Sequence, residues 1–530
     1  TLNNVSNPVV FKGAIAARNI RIGNPGASVT FDAGVQANEF RCESQPGSLT
    51  FQAGSAYNFT NLLMRGLPTN LIVLRSSTNG QPWSLNVTGW QSVRYVDVKD
   101  SDASGGKKIY GINSTNSGGN LNWDFAPWLI WNGSSSASLT NPVNWTPAQA
   151  PDTGSLLLVD GDYGTNAPVV DATTTVRRLM MGASLPSTLM LRAPLTVNED
   201  VSIMYRGTLT QEDNAAAEVY RLALTVNGTL NIEAGGTIDA SGKGCDRDYG
   251  PGKGTGSCGG GYGGEGGYYS SGSRGVCYGS FTTPTNIGSG GAGGYGGPES
   301  GGGAVILNVA GATALNGSIL ANGQASQGYG GAGAGGSIFL TTSNLTGVGA
   351  IGASGGMGTD GSGNNAGGGG GRIAVILTCG TAFGNVTMQA YGGGTEGGGG
   401  EKGAAGTIYR KTASQNAGRG FLIVDGSNVT TAARTEVPPA TNAVPVEFER
   451  ATFVLTNRAA VAMPATGKIG NLLIYTNCTW TVTNWTLYVQ SLEHSLEDVT
   501  QKGPGQTYRV DHYNQVLWIG APPGTLFMVH

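Results

Sequence analysis

A short phrase recurs between residues 236 and 392 of this chain, and it restricts the fold more than any other feature. It is a strand-sized run ending on a small residue and a glycine. The copies are Gly236-Thr237-Ile238-Asp239-Ala240-Ser241-Gly242, Gly317-Ser318-Ile319-Leu320-Ala321-Asn322-Gly323, Gly349-Ala350-Ile351-Gly352-Ala353-Ser354-Gly355 and Val386-Thr387-Met388-Gln389-Ala390-Tyr391-Gly392. A glycine-rich excursion follows each copy. A second strand then closes it: Ala304-Val305-Ile306-Leu307, Ser337-Ile338-Phe339-Leu340, Arg372-Ile373-Ala374-Val375 and Thr407-Ile408-Tyr409-Arg410. Ala321 to Ala353 is 32 residues and Ala353 to Ala390 is 37, while an insertion carrying three cysteines stretches Ala240 to Ala321 to 81. Near the N-terminus a shorter phrase, Pro25 to Gly34, returns as Pro46 to Gly54, with Val29 and Leu49 20 residues apart. Within it Val29, Phe31 and Ala33 alternate with Thr30 and Asp32, as a half-buried strand requires. Repeats of this length, each carrying its own strands, mark stacked-repeat folds.

The physical reading is an all-β chain coiled as a parallel β-helix with long Gly-rich loops and negligible helix. One strand per rung lies ~4.8 Å from its counterpart in the next, and apolar residues form columns inside the coil. The excursions leave the coil on one flank. Glycine lets their backbones come close enough to hydrogen-bond in extended or polyglycine-like arrays; the alternative is irregular turns packed on the coil. Composition agrees. Glycine accounts for 91 of 530 residues, more than twice the usual ~7%, and costs about 1 kcal/mol per helical position relative to Ala. No three-residue glycine period runs through the chain, which excludes collagen. Charged residues are 12% and the net charge is −3, which excludes highly charged disorder and a nucleic-acid footprint. No run of 18 apolar residues is present to span a bilayer as a helix.

Four segments follow: N-terminal rungs over 1–125, a middle strand module over 126–235, the Gly-rich repeats over 236–412 and a C-terminal strand region over 413–530. Pro151-Asp152 is a plausible module boundary within the second. Helix signals are confined to Asn214–Arg221 and Val489–Val499. Thr1 in place of an initiator Met is expected of a processed chain or a fragment.

Several of these residues also carry a resemblance. Val73-Leu74-Arg75-Ser76-Ser77, Trp83, Tyr95 to Gly106, and Asn120-Leu121-Asn122-Trp123 resemble a module of very large secreted, adhesin- and autotransporter-like bacterial surface proteins. Gly367-Gly368-Gly369-Gly370-Gly371-Arg372-Ile373-Ala374-Val375 is similar to the glycine-rich rungs of the same proteins. Together the two cover about two thirds of the chain. The resemblance implies a right-handed β-helix at or outside the cell surface, and no particular activity.

Residues that carry chemistry are sparse. Asp97, Asp100 and Asp102 fall at a strand end and its turn, where hard oxygen ligands suit Ca²⁺; the competing reading is Asx-turns. Asp160-Gly161-Asp162 is a similar turn. Cys245, Cys258 and Cys277 share one Gly-rich insertion and are disulfide candidates in an oxidising exterior, or spare thiols. Tyr262, Tyr268, Tyr269, Tyr295 and Tyr329 dot the loops, where aromatic groups either contact a sugar or a neighbour, or fill gaps. Thirteen N-x-[ST] sequons, Asn58 and Asn86 among them, are either glycan acceptors or the Asn/Thr pattern of strand ladders. The three histidines, His494, His512 and His530, sit in no Ser/His/Asp motif, so nothing here builds a nucleophilic site, and no cofactor is expected beyond structural Ca²⁺ or attached glycans.

Strand patterns begin at Val9-Val10-Phe11 and recur at Val516-Leu517-Trp518-Ile519, with no amphipathic helix to cap either end of a coil. Uncapped β-ends and low charge favour head-to-tail contact with further copies. The expected function is therefore a non-enzymatic, extracellular structural protein, a self-assembling subunit of a filament, sheath or surface layer. A β-helix adhesin that binds cell-surface glycans through its Gly/Tyr loops is the alternative, ahead of a polysaccharide lyase or hydrolase.

Overall fold

The computed structural model describes residues 8–23, 28–43, 48–161, 163–270, 272–293, 297, 299–326, 328–359, 365–396, 399–416, 418–437, 450–463, 467–475, 477–482, 486–492, 506–510 and 516–520. Side chains are described as far as Thr481. Tyr295, Asp162 and the three histidines lie outside the described residues. The described chain is all-β, with two 3-10 turns at Pro142–Asn144 and Gly164–Asn166 and no α-helix among the described residues. No described helix is long and apolar enough to cross a membrane. The segment Asn214–Arg221, expected as a helix, is an irregular loop. The Asn214 amide takes the place of a helical turn, accepting from Val219 N at 2.7 Å and Tyr220 N at 2.8 Å and donating to Lys243 O at 2.8 Å. Of the other expected helix, residues 489–492 belong to the strand Thr486–Leu492 and the rest is outside the described residues.

Two compact units divide the chain. The first comprises Thr1–Ala167, Val176–Thr188 and Ser202–Gly207. In it the strands Val9–Phe11, Val29–Phe31, Leu49–Phe51, Ile72–Ser76 and Val96–Val98 form one parallel stack, paired Val9↔Val29↔Leu49 and Phe11↔Phe31↔Phe51. A second parallel stack holds Ile15–Ile22, Val35–Cys42 and Ala56–Arg65. The 20-residue repeat thus becomes one step in both sheets. Because equivalent residues lie directly above one another, the phenylalanines form a column. Ring centroids of Phe11–Phe31, Phe31–Phe51 and Phe51–Trp83 are 5.1, 5.7 and 3.9 Å apart, all stacked. The same unit holds a buried carboxylate. Asp160 accepts from Ser184 N at 2.7 Å and Leu185 N at 2.9 Å, and faces Arg65 at 3.2 Å and Arg94 at 3.7 Å. This network spares the charge the cost of an unpaired interior site.

The second unit comprises Pro168–Thr175, Leu189–Val201 and Thr208–His530. As far as Lys411 its strands fall into three parallel sheets that the chain visits in rotation. Leu222–Val226, Ala304–Val309, Ser337–Thr342, Arg372–Leu377 and Thr407–Lys411 stack in the first. Leu230–Ile232, Thr313–Leu315 and Leu345–Thr346 stack in the second. The third stacks Thr237–Asp239, Ser318–Leu320, Ala350–Gly352 and Thr387–Gln389. Register is kept by apolar columns such as Ile238↔Ile319↔Ile351↔Met388. Every glycine-rich excursion leaves after a strand of the third sheet and returns at a strand of the first, so all four share one flank. The direction reverses after Lys411: Phe421–Asp425 pairs antiparallel with Thr407–Lys411, and Thr452–Thr456 and Gly467–Ile474 then extend that sheet in parallel.

The phenylalanine column generates a direct test. Phe31 is 1% exposed and stacked on both sides, so Phe31→Ala is expected to cost about 3–5 kcal/mol in urea unfolding. A loss below about 1 kcal/mol would mean that the column does not carry the first unit.

Candidate functional site

The flank of excursions is the most unusual surface of the molecule, and its order comes from the backbone. Residues 367–371 donate their N–H groups to three different neighbours in turn. Gly367 and Gly370 bond to the carbonyls of Glu401 and Ala404, Gly368 and Gly371 to those of Gly356 and Ala353, and Gly369 to that of Gly260, all at 2.7–3.0 Å. The direction repeats every third residue. That is the geometry of a polyproline II-type helix, which has three residues per turn and no internal hydrogen bonds, so its N–H groups are free to bond sideways.

The excursion before it has the same pattern. Ala332 and Gly335 bond to the carbonyls of Ala366 and Gly369, Gly333 and Gly336 to those of Gln324 and Ala321, and Ala334 to that of Ser289. In the last excursion Gly403 and Gly406 bond to Gly393 and Ala390, and Ala404 to Glu265. Each excursion is therefore a pair of threefold helices bonded to one another and to the next tier, through Gly302 to Ala334, Gly335 to Gly369 and Gly370 to Ala404.

The third direction comes from the cysteine-bearing insertion. Its segment 259–267 lies over the other excursions as a second layer. Gly260 donates to Ala332, Gly263 to Gly370 and Gly267 to Gly367. The sequence expectation of ordered, hydrogen-bonded loops is met here. What the residue pattern did not reveal is that the insertion folds back to complete the lattice. Close approach is what requires glycine. A Cβ built on Gly369 would overlap the Gly264 carbonyl, one on Gly371 the Gly336 carbonyl, and one on Gly336 the Gly303 carbonyl.

Side chains anchor the second layer. Arg372, the first residue after the Gly367–Gly371 run, is fully buried. Its Nε donates to Tyr278 O at 2.9 Å, Nη1 to Thr407 Oγ1 at 3.1 Å and Nη2 to Tyr262 O at 3.4 Å, and its guanidinium stands 5.5 Å from the Tyr262 ring centroid. It thus ties two carbonyls of the insertion to the sheet, a role no motif in the sequence announced. Burial pulls its pKa below the usual arginine value, though an arginine stays charged. Tyr262 hydroxyl meets Ser337 Oγ at 2.6 Å, and Tyr278 hydroxyl donates to Ile287 O at 2.6 Å.

The expected site residues can now be placed. Tyr262 is a correction: it is fully buried and fills a gap in the lattice, so it presents nothing to a ligand. Tyr268 and Tyr329 are exposed, Tyr269 is half-buried, and Tyr295 is outside the described residues. The disulfide expectation is also corrected. Cys245, Cys258 and Cys277 are three free thiols in separate surroundings: Cys245 packs with Ile287 and Ala304, Cys258 Sγ accepts from Tyr269 N, and Cys277 Sγ donates to Gly263 O. Burial pushes the Cys245 thiol up to about 11 and the Cys277 thiol up to about 12.

Each of the three carboxylates expected to suit Ca²⁺ is engaged by its own neighbours. Asp97 is held by Arg75 at 2.5 Å and Ser117 Oγ at 2.5 Å, Asp100 accepts from Gly80 N at 2.9 Å, and Asp102 from Ser104 N at 2.9 Å. The last is an Asx-turn. Burial acts to raise the Asp97 carboxyl, but the hydrogen bonds from Arg75 and Ser117 and the Arg75 charge together leave it below its ordinary value. Among the described residues no group of three His, Cys, Asp or Glu side chains is placed to hold a metal ion. Comparison with known families, curated proteins and solved structures found no match to this chain.

Two outcomes are expected. Gly369→Ala should lower the thermal unfolding midpoint by several degrees, whereas Gly394→Ala, whose Cβ would meet only Met357 Cε at 3.5 Å, should leave it unchanged; equal effects would refute close packing. The buried thiols and the phenols of Tyr57, Tyr163 and Tyr262, pushed up to about 12, stay protonated in the fold above pH 9 while the unfolded chain releases those protons. Stability should therefore be full below about pH 8.5 and fall steadily towards pH 12. A urea midpoint that is flat from pH 8 to pH 11 would contradict this.

Proposed function

We propose that this chain is a right-handed parallel β-helix serving as a non-enzymatic, extracellular structural protein, a self-assembling subunit of a filament, sheath or surface layer. The rotation of the chain through three parallel sheets supports the coil, and the strong preference of parallel strand connections for one hand supports its handedness. The glycine lattice is the observation that carries the structural role. It adds a layer of backbone hydrogen bonds along the stack, a construction suited to stiffness. Low charge removes a repulsive barrier to contact between copies. Tyr268 and Tyr329, exposed on the loops, favour a second reading, an adhesin whose loops contact sugars on another cell.

The test is the assembly state of the whole chain. Sedimentation and negative-stain microscopy across a range of concentrations should reveal uniform polymers that lengthen with concentration. A chain that stays monomeric under every condition would refute the self-assembling subunit. Glycan binding abolished by Tyr329→Ala would favour the adhesin.

A further inference from the structure

We propose that the outer face of the first unit holds a binding groove for a linear, uncharged polysaccharide, built from an in-register ladder of amide and hydroxyl side chains. The strands Ile15–Ile22, Val35–Cys42 and Ala56–Arg65 each pass through an elbow. Pairing runs Ala16↔Gln36↔Asn58 and Ala17↔Ala37↔Phe59, then resumes at Asn19↔Glu39↔Asn61. At the elbow two successive residues point away from the core, as Asn38 and Glu39 do between the buried Ala37 and Phe40. Past the third strand the two limbs part and are continued by separate strands, Trp83–Val87 on one side and Gln91–Arg94 on the other.

The elbow encloses a groove of about 650 Å³. Gln36, Asn38, Asn58, Thr60, Asn86 and Thr88 supply its polar lining. Two sequons, Asn58-Phe59-Thr60 and Asn86-Val87-Thr88, supply most of this: in a strand, residues i and i+2 share a face, so each places an amide and a hydroxyl side by side.

The chemistry of the lining selects the ligand. Arg18 is the one charged residue in it. Amides and hydroxyls both donate and accept, as sugar hydroxyls do, whereas a nucleic acid needs a basic wall and an added peptide strand needs an open sheet edge rather than a face. Asn86 Nδ2 donates to Asn58 Oδ1 at 2.8 Å, so the amides of successive strands are already aligned as a ladder. Equivalent amide and hydroxyl side chains recur at the interstrand spacing of ~4.8 Å, so the three strands that carry them offer ~10 Å of repeated contacts. A linear sugar chain, whose residues follow one another at a similar length, would offer hydroxyls to successive steps.

The experiment is calorimetric titration of the full chain with neutral linear hexasaccharides (cellohexaose, xylohexaose, mannohexaose, chitohexaose), with a polygalacturonate fragment as the charged control. At least one neutral probe should bind. Asn38→Leu/Thr60→Leu, at exposed positions, should weaken it at least tenfold with an unchanged thermal midpoint; should that pair fail to fold, Gln36→Ala should weaken it at least threefold. Tyr329→Ala should have no effect. Binding by no neutral probe, binding only to polygalacturonate, binding indifferent to the groove variants, or loss only in Tyr329→Ala would each overturn the proposal. A shift in sedimentation in the double variant with no sugar bound would also overturn it, by making this face a contact between copies. These outcomes are independent of whether the chain polymerises.

Discussion

Successive backbone N–H groups of the glycine runs bond sideways to three neighbouring backbones in turn, and at several of these positions the backbones lie closer together than a Cβ allows. That constraint governs the second unit. The excursions at 321–336, 353–371 and 390–406 hold together through carbonyls that would overlap a methyl group at Gly336, Gly369 or Gly371. It also explains why the parallel sheets matter to the loops. Close packing needs the loops to start at equivalent heights, and columns such as Ile238↔Ile319↔Ile351 deliver them in register at each tier. The apolar columns set the spacing, and the glycine lattice uses it.

Side chains enter this lattice where something must be fixed from a distance. Arg372 is the chief case. Its guanidinium is fully buried yet carries its charge among the Tyr278 and Tyr262 carbonyls, Thr407 Oγ1 and the Tyr262 ring. Each of its three nitrogens donates one hydrogen bond, which fixes the orientation of the groups around it. The first unit solves the equivalent problem with stacked rings and with Asp160 set between Arg65 and Arg94.

Much of the fold was legible because strand chemistry has a period. Val29 and Phe31 point inward and Thr30 is half-exposed, as alternation requires, and the openings at Ile238, Ile319, Ile351 and Met388 pair as their recurrence implied. Glycine has no such period, because a residue without a side chain leaves no mark of which way it faces. The insertion's place as a second layer was for that reason invisible, and so was the burial of Tyr262 within it. Local polar chemistry is organised differently from its spacing in the sequence in two further places. Asp97, Asp100 and Asp102 are close in sequence, but each is used by its own neighbours. Asn214 satisfies a loop that a helical reading would have closed by backbone bonds. The Asn-x-Thr pattern was legible as a ladder, but not the elbow that makes a groove of it, since the break in pairing at Asn38 depends on how the sheet bends.

The central claim is that the glycine runs are a hydrogen-bonded solid rather than loops, and amide hydrogen exchange followed by mass spectrometry tests it most directly. Residues 332–336 and 367–371 should exchange as slowly as the adjoining strands Ser337–Thr342 and Arg372–Leu377, over hours at neutral pH. Exchange of the glycine runs within seconds, with the strands still protected, would contradict the account.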